Sequence, residues 1–122
     1  MMRSLYSGVT GLRNHQTRMD VICNNISNVN TVGFKGSRVV FQDLFSQTTS
    51  TASAGGQTTG GTNPQQVGLG VATATIDILQ TRTATQYTGH PMDPAIQGAG
   101  FFIVNGNGQA YFTRAGNSSV DN

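Results

Sequence analysis

From residue 3 to residue 29, apolar side chains return at alternating steps of four and three: Leu5, Val9, Leu12, Gln16, Met19, Cys23 and Ile26, with Gln16 the one polar member. Ile22 and Val29 widen the stripe, while Arg3, Arg13, Arg18 and Asp20 fall off it. Three heptads of this spacing predict an amphipathic helix whose apolar seam suits another helix. A helix in an ordinary globular core is the alternative, and the near-regular spacing favours the seam. Ser4 is placed to cap the start, and the helix is expected to end near Asn28. Intrinsic propensity runs against the pattern, because Gly8, Gly11, Thr10 and Thr17 each weaken a helix. The segment is therefore expected to be helical only when packed. Asparagine also favours local backbone bonds over helix, yet Asn24, Asn25, Asn28 and Asn30 crowd the helix end.

The pattern then changes. "NTVGFKGSRVVFQDLFSQ" carries turn chemistry at Asn30-Thr31 and is punctuated by Gly33 and Gly36. Its apolar residues show no clean period, which leaves extended chain or a short helix over 40–46. Residues 46–66, "SQTTSTASAGGQTTGGTNPQQ", contain no branched aliphatic or aromatic side chain. Such a stretch cannot form a core; it is expected to be mobile or to lie flat on another surface, without regular structure over 48–62. Alternation at the period of a strand follows in "VGLGVATATIDIL" and again in "TRTATQYT". Runs at 101–104 and 110–113 flank "NGNG", a hairpin signal. The fold class is therefore α+β: a long N-terminal amphipathic, coiled-coil-forming helix over 1–30, an extended polar connector with the low-complexity segment over 31–70, and a small β-rich region over 71–122. That β region is expected to be incomplete in this chain, since no partner follows its last strand.

Composition sharpens the picture. Only 10% of the 122 residues are charged, glutamate is absent and all five acids are aspartates, against roughly 25% charged in ordinary soluble proteins. A surface so weakly repulsive lets copies approach closely; a polar secreted or disordered chain is the other reading of this composition. The net charge of +2, with Lys35 and six scattered arginines, does not suit nucleic acid. Cys23 is the single cysteine, so no internal disulfide can form. No run of about 20 apolar residues would insert in a membrane, and the first residues lack the apolar stretch of a cleavable secretory signal.

No catalytic, cofactor-binding or metal-binding set emerges. His15 lies on the helix and reads as a solvated or packed helix residue. His90 and Asp93 in "TGHPMDP" are two ligands with nothing to complete a metal site. Cys23, on an apolar seam, reads as a small buried hydrophobe. "GLG" and "GAG" lack the setting of a nucleotide loop, the terminal serines lack an activating base, and Phe101-Phe102 lack a basic groove and read as a buried strand. What is left is architectural. The helix seam has nothing in this chain to pack against, as in a segment that completes itself on other copies or on another part of the protein.

"GVTGLRNHQTRMDVICNNISNVNTVGFKGSRVVFQDL" resembles the N-terminal segment of the bacterial flagellar axial proteins, the group of hook, rod and hook-associated proteins. The matching elements are Gly11-Leu12, Asp20, the run "NNISNVNTVGFK", Phe41 and Leu44. "DPAIQGAGFFIV" and "YFTRAGNSSVD" resemble the β motif shared by hook and rod members, and "GGTNPQQVGLGVATATIDILQ" is most similar to the hook members. The resemblance covers about half the chain and implies its N-terminal portion only. It implies a non-enzymatic structural subunit, without cofactor, that polymerises into the curved hollow joint passing torque from rod to filament; a distal rod subunit of the basal body is the near alternative. The partners implied are other copies in a helical homo-polymer, then rod, hook-cap and hook–filament junction proteins, and the flagellar type III export apparatus, which takes chains without a cleavable signal. It also implies roles for two sets of residues. Leu5, Val9, Leu12, Gln16, Met19, Ile22, Cys23 and Ile26 would form the assembly seam, on a helix that the resemblance places in the inner tube wall beside a C-terminal helix and neighbouring subunits. Asn24, Asn25, Asn28, Asn30, Gly33, Phe34 and Lys35 would form a packing and capping corner, with an ordinary fraying helix end as the alternative. A carbohydrate- or surface-binding β module with a helical tether is the reading from another class.

Overall fold

The computed structural model describes residues 1–120. A single helix, α1 (Met2–Ser27), is followed by six strands: β1 (Ser37–Asp43), β2 (Gln47–Ser50), β3 (Gln65–Val67), β4 (Val71–Ile78), β5 (Phe102–Gly106) and β6 (Gln109–Thr113). They form three two-stranded sheets, β1 with β4, β2 with β3, and β5 with β6. The architecture is the expected α+β, with one long helix and small antiparallel sheets. The helix begins two residues earlier than the capping signal suggested. Ser4 does not cap it; its hydroxyl donates to the Met1 carbonyl at 2.7 Å, within the first turn.

The chain divides into two compact units. The first combines residues 1–21 and 38–77. Here β1 takes the segment left open between strand and helix, and it alternates: Val39 and Phe41 are partly covered, Arg38, Val40 and Gln42 exposed. The strands run antiparallel, since Leu44 N–H donates to the Gly70 carbonyl at one end while Arg38 and Asp77 pair at 3.4 Å near the other. The low-complexity segment is not structureless. Gln47 faces Val67 and Thr48 faces Gln66 in an antiparallel ribbon, with a shift before Ser50 meets Gln65. A Ser53–Thr62 bridge and a turn closed by Gly56 N–H on the Thr59 carbonyl continue it. Backbone pairing explains the difference: side chains without apolar bulk cannot build a core, but their amides still pair across a turn, and Thr is well suited to a strand.

The second unit combines residues 22–37 with 78–120. Its hairpin pairs Phe102 with Thr113 through Gly106 with Gln109. The two residues between are Asn107 and Gly108, at φ +51 and +80. Positive φ at both positions is the mirror-type turn whose twist matches the strands, and it is why the sequence reads Asn-Gly there. Around the hairpin, the Arg114 guanidinium forks onto the carbonyls of Gly98 and Gly100. Asp93 accepts from the Thr88 hydroxyl and the Ser118 N–H, so its carboxylate ties two loops. The alternation at "TRTATQYT" does not become a strand; without a neighbour to receive its amides, period-2 patterning has nothing to stabilise it.

Among the described residues none is buried. Phe101 and Phe102 do not form a buried strand: Phe102 is partly covered in β5, and Phe101 precedes that strand and is exposed. No described helix is long and apolar enough to cross a membrane. Gly108→Ala is expected to weaken the hairpin by about 1 kcal/mol, the scale of the left-handed penalty for a side chain. Faster amide exchange confined to 102–113 would show it.

Candidate assembly surface

The helix presents two opposite faces. Ser7, Thr10, Gly11, Asn14, Thr17, Val21 and Asn25 are its only partly covered residues. All are small or polar except Val21. Leu5, Leu12, Met19 and Ile26 are more than half exposed, Leu12 by 74%, and Gln16 and Cys23 are exposed too. Covered positions follow seam positions by two residues: Leu5 and Ser7, Val9 and Gly11, Leu12 and Asn14, Cys23 and Asn25. At about 100° per residue a step of two is about 200°, which is the far side of the helix. The chain therefore docks α1 by its polar stripe and leaves the apolar seam in the open.

In the first unit the approach is close enough to exclude a side chain. Gly70, at φ +115, leads into β4, and a Cβ on it would run into the Thr10 hydroxyl and lie 3.3 Å from the Ser7 Cα. Val71 N–H donates to Thr10 Oγ1 at 3.5 Å. Asn14 uses its whole amide. Its Nδ2 donates to the carbonyls of Val71, at 2.7 Å, and of Thr10, at 2.8 Å, and its Oδ1 accepts from the Thr73 hydroxyl at 2.6 Å. On the flank, the exposed His15 ring meets Phe41 edge to face at 5.6 Å.

In the second unit Asn25 does the equivalent work. Nδ2 donates to the Ser37 carbonyl at 2.7 Å and Oδ1 accepts from Ser37 N–H at 2.9 Å. The amide satisfies one backbone residue on both sides, as a neighbouring strand would. Net values of about 0.5–1.5 kcal/mol per hydrogen bond make each amide a modest anchor. The other members of the motif shape the corner. Asn28 Nδ2 donates to the Asn24 carbonyl and side-chain oxygen, at 2.9 and 2.8 Å, and its own Oδ1 accepts from Thr31. Gly33 turns the chain at φ +74, with room for a Cβ closed off by Ala115 N at 2.7 Å. Phe34 is partly covered, Lys35 donates to the Thr81 carbonyl at 2.9 Å, and Asn30 is exposed. Asn14 escaped the sequence reading because it stands alone, outside the asparagine run; its position eleven residues before Asn25 was the available signal.

The family model described as flagella basal body rod protein matches residues 5–35, which are the helix and this corner. The chain is 57% identical over its full length to the flagellar hook protein of Treponema pallidum and 56% identical, over 99% of its length, to that of Borreliella burgdorferi. It is also 57% identical over its full length to the flagellar basal-body rod protein FlgG of Bacillus subtilis. The chain carries the N-terminal sequence of a flagellar axial protein. It spans about a quarter of the two hook relatives, 26% and 27%, and just under half of the rod relative, 46%. None of these names is that of an enzyme. Among the described residues no three His, Cys, Asp or Glu side chains gather as metal ligands. His90 and Asp93 share an open depression with Asn117, Ser118 and Ser119, where Asp93 is already engaged by Thr88 and Ser118.

For an axial protein of this geometry, the two glycines at close approach are the sensitive points. Gly33→Ala adds a left-handed penalty of about 1–2 kcal/mol to a clash with the Arg114-Ala115 backbone. Gly70→Ala drives a methyl group into Ser7 and Thr10. Both are expected to lower the thermal unfolding midpoint, whereas Gly8→Ala, with nothing within 4 Å of the added carbon, is expected to raise it slightly through helix propensity. Circular dichroism melts of the three variants check the order.

Proposed function

We propose that this chain is part of a structural subunit that polymerises into the flagellar hook, with its N-terminal helix as an assembly element. The observation that carries the reading is 57% identity, over this chain's full length and 26% of the relative's, to a hook protein, in a chain whose helix keeps its apolar seam uncovered. Exposed hydrocarbon in regular 4-3 array is costly in water and is relieved by a helix of like pattern. The seam residues Leu5, Val9, Leu12, Gln16, Met19, Ile22, Cys23 and Ile26 would meet a C-terminal helix and the helices of neighbouring copies. The corner from Asn24 to Lys35 would hold the helix against the rest of its own subunit, and the β-rich region after residue 70 would begin the next layer outward. The low charge suits dense packing of copies, since few ions need be stripped of water.

The equal identity to the rod protein of Bacillus subtilis supports a second reading, a distal rod subunit. Gold-labelled antibody against this chain, viewed on intact flagella by electron microscopy, separates them. Label on the curved segment outside the cell is the expected result; label confined to the straight rod would make it a rod subunit.

Leu12→Asp tests the seam. Burial of a leucine stabilises by about 1.5–3 kcal/mol, and a carboxylate in its place would have to be desolvated at every copy. Polymer is expected to be absent while the β5–β6 hairpin stays folded; normal tubes from this variant would remove the seam from the assembly. Cys23→Ala, by contrast, is expected to assemble, at a packing cost of about 1–2 kcal/mol.

A further inference from the structure

We propose that Asn107 is a site of spontaneous covalent modification, its side-chain amide cyclising onto the Gly108 nitrogen and hydrolysing to aspartate and isoaspartate, while the fold protects Asn105 and Asn117 from the same reaction. Asparagine is a thermolabile residue. Cyclisation is least hindered when the next residue is glycine, which puts no Cβ beside the attacking nitrogen. The hairpin holds two such pairs, Asn105-Gly106 and Asn107-Gly108, so sequence alone does not choose between them. The backbone does. Gly106 faces Gln109 next to the two-residue turn, the place in a hairpin where opposed residues exchange both N–H···O bonds. The Gly106 nitrogen is therefore engaged, and the Tyr111 ring lies 3.6 Å from where a Cβ on Gly106 would stand. Asn105, within β5, also stands its side chain off the sheet face while the Gly106 N–H lies along the sheet. Gly108 is the second central residue of the turn, at φ +80. In such a turn only the residue after it donates across, and among the described residues the Gly108 N–H has no backbone partner. Nothing lies within 4 Å of a Cβ placed there, and Asn107 and Gly108 are both exposed. At Asn117 the attacking nitrogen would be that of Ser118, which donates to the Asp93 carboxylate at 3.2 Å.

The steps need only water and hydroxide. Hydroxide removes the Gly108 amide proton, and the nitrogen bonds to Asn107 Cγ. The Cγ–Nδ2 bond breaks, and ammonia leaves with a proton taken from water, giving a cyclic imide. Water then opens the ring. Opening at Cγ gives aspartate; opening at the original peptide carbonyl gives isoaspartate, with the main chain rerouted through Cγ. Nothing is oxidised or reduced. Either product places a negative charge on the hairpin tip. The test ages the intact protein in mildly alkaline buffer, folded and in concentrated urea. Trypsin then releases residues 83–114 between Arg82 and Arg114, and fragment mass spectra locate each amide-to-acid conversion. In the folded protein Asn107 is expected to convert several-fold faster than Asn105, and Asn117, in the following peptide, to stay an amide. In urea Asn105 and Asn107 are expected to convert at similar rates. Equal rates in the folded protein, or no conversion of Asn107 there, would overturn the proposal. The same preference for Asn107 in urea would overturn it too, since the selection would then belong to the sequence and not to the hairpin.

Discussion

A side-chain amide paired with a strand backbone is the interaction on which this structure turns. At Asn25 the pairing is complete, one carboxamide against both polar groups of Ser37. At Asn14 it spans a carbonyl and a hydroxyl of β4. These bonds replace what a hydrophobic face supplies in an ordinary helix-on-sheet packing. They do so without consuming hydrocarbon, so the helix is both attached to its chain and still apolar on its free side. The tight approach at Gly70 follows from the same choice. A polar stripe of Ser, Thr, Gly and Asn has little bulk, and hydrogen bonds demand that backbone and side chain meet at about 3 Å.

The cost of the arrangement is the missing core. With no buried residue among those described, the chain gains little from the hydrophobic effect by itself. Its order rests on backbone pairing in three small sheets and on local ties such as the Arg114 fork and the Asp93 bridge. Isolated two-stranded sheets are marginal in water. That weakness is compatible with the assembly proposed above, in which neighbours would cover the exposed hydrocarbon and a charge-poor surface would oppose their approach little.

The low-complexity segment shows a different balance. Residues 47–67 carry no charge and little apolar bulk, yet they pair as a ribbon. Composition reports what side chains can bury, while a ribbon is held by the main chain. Over 48–62 the expected lack of regular structure holds except at Thr48–Ser50, which pair as strand, and at the Ser53–Thr62 bridge.

The sequence by itself determined the long helix, the identity of its apolar seam, the β4 strand and the Asn-Gly hairpin. Each of these is a local matter of period or turn chemistry, encoded in residues close together along the chain. It also carried the family, because the run from Asn24 to Lys35 is specific. Only the tertiary structure decided which face of the helix the chain keeps for itself. Hydrophobic periodicity marks a face that avoids water without saying what covers it, and here the chain covers the opposite one through amides that reach β4 57 residues away and Ser37 12 residues away. Partners that distant leave no period in the sequence. Asn14 looked ordinary there, and the strand alternation at 81–88 looked persuasive, because in both cases the deciding fact was whether another segment came within hydrogen-bonding reach.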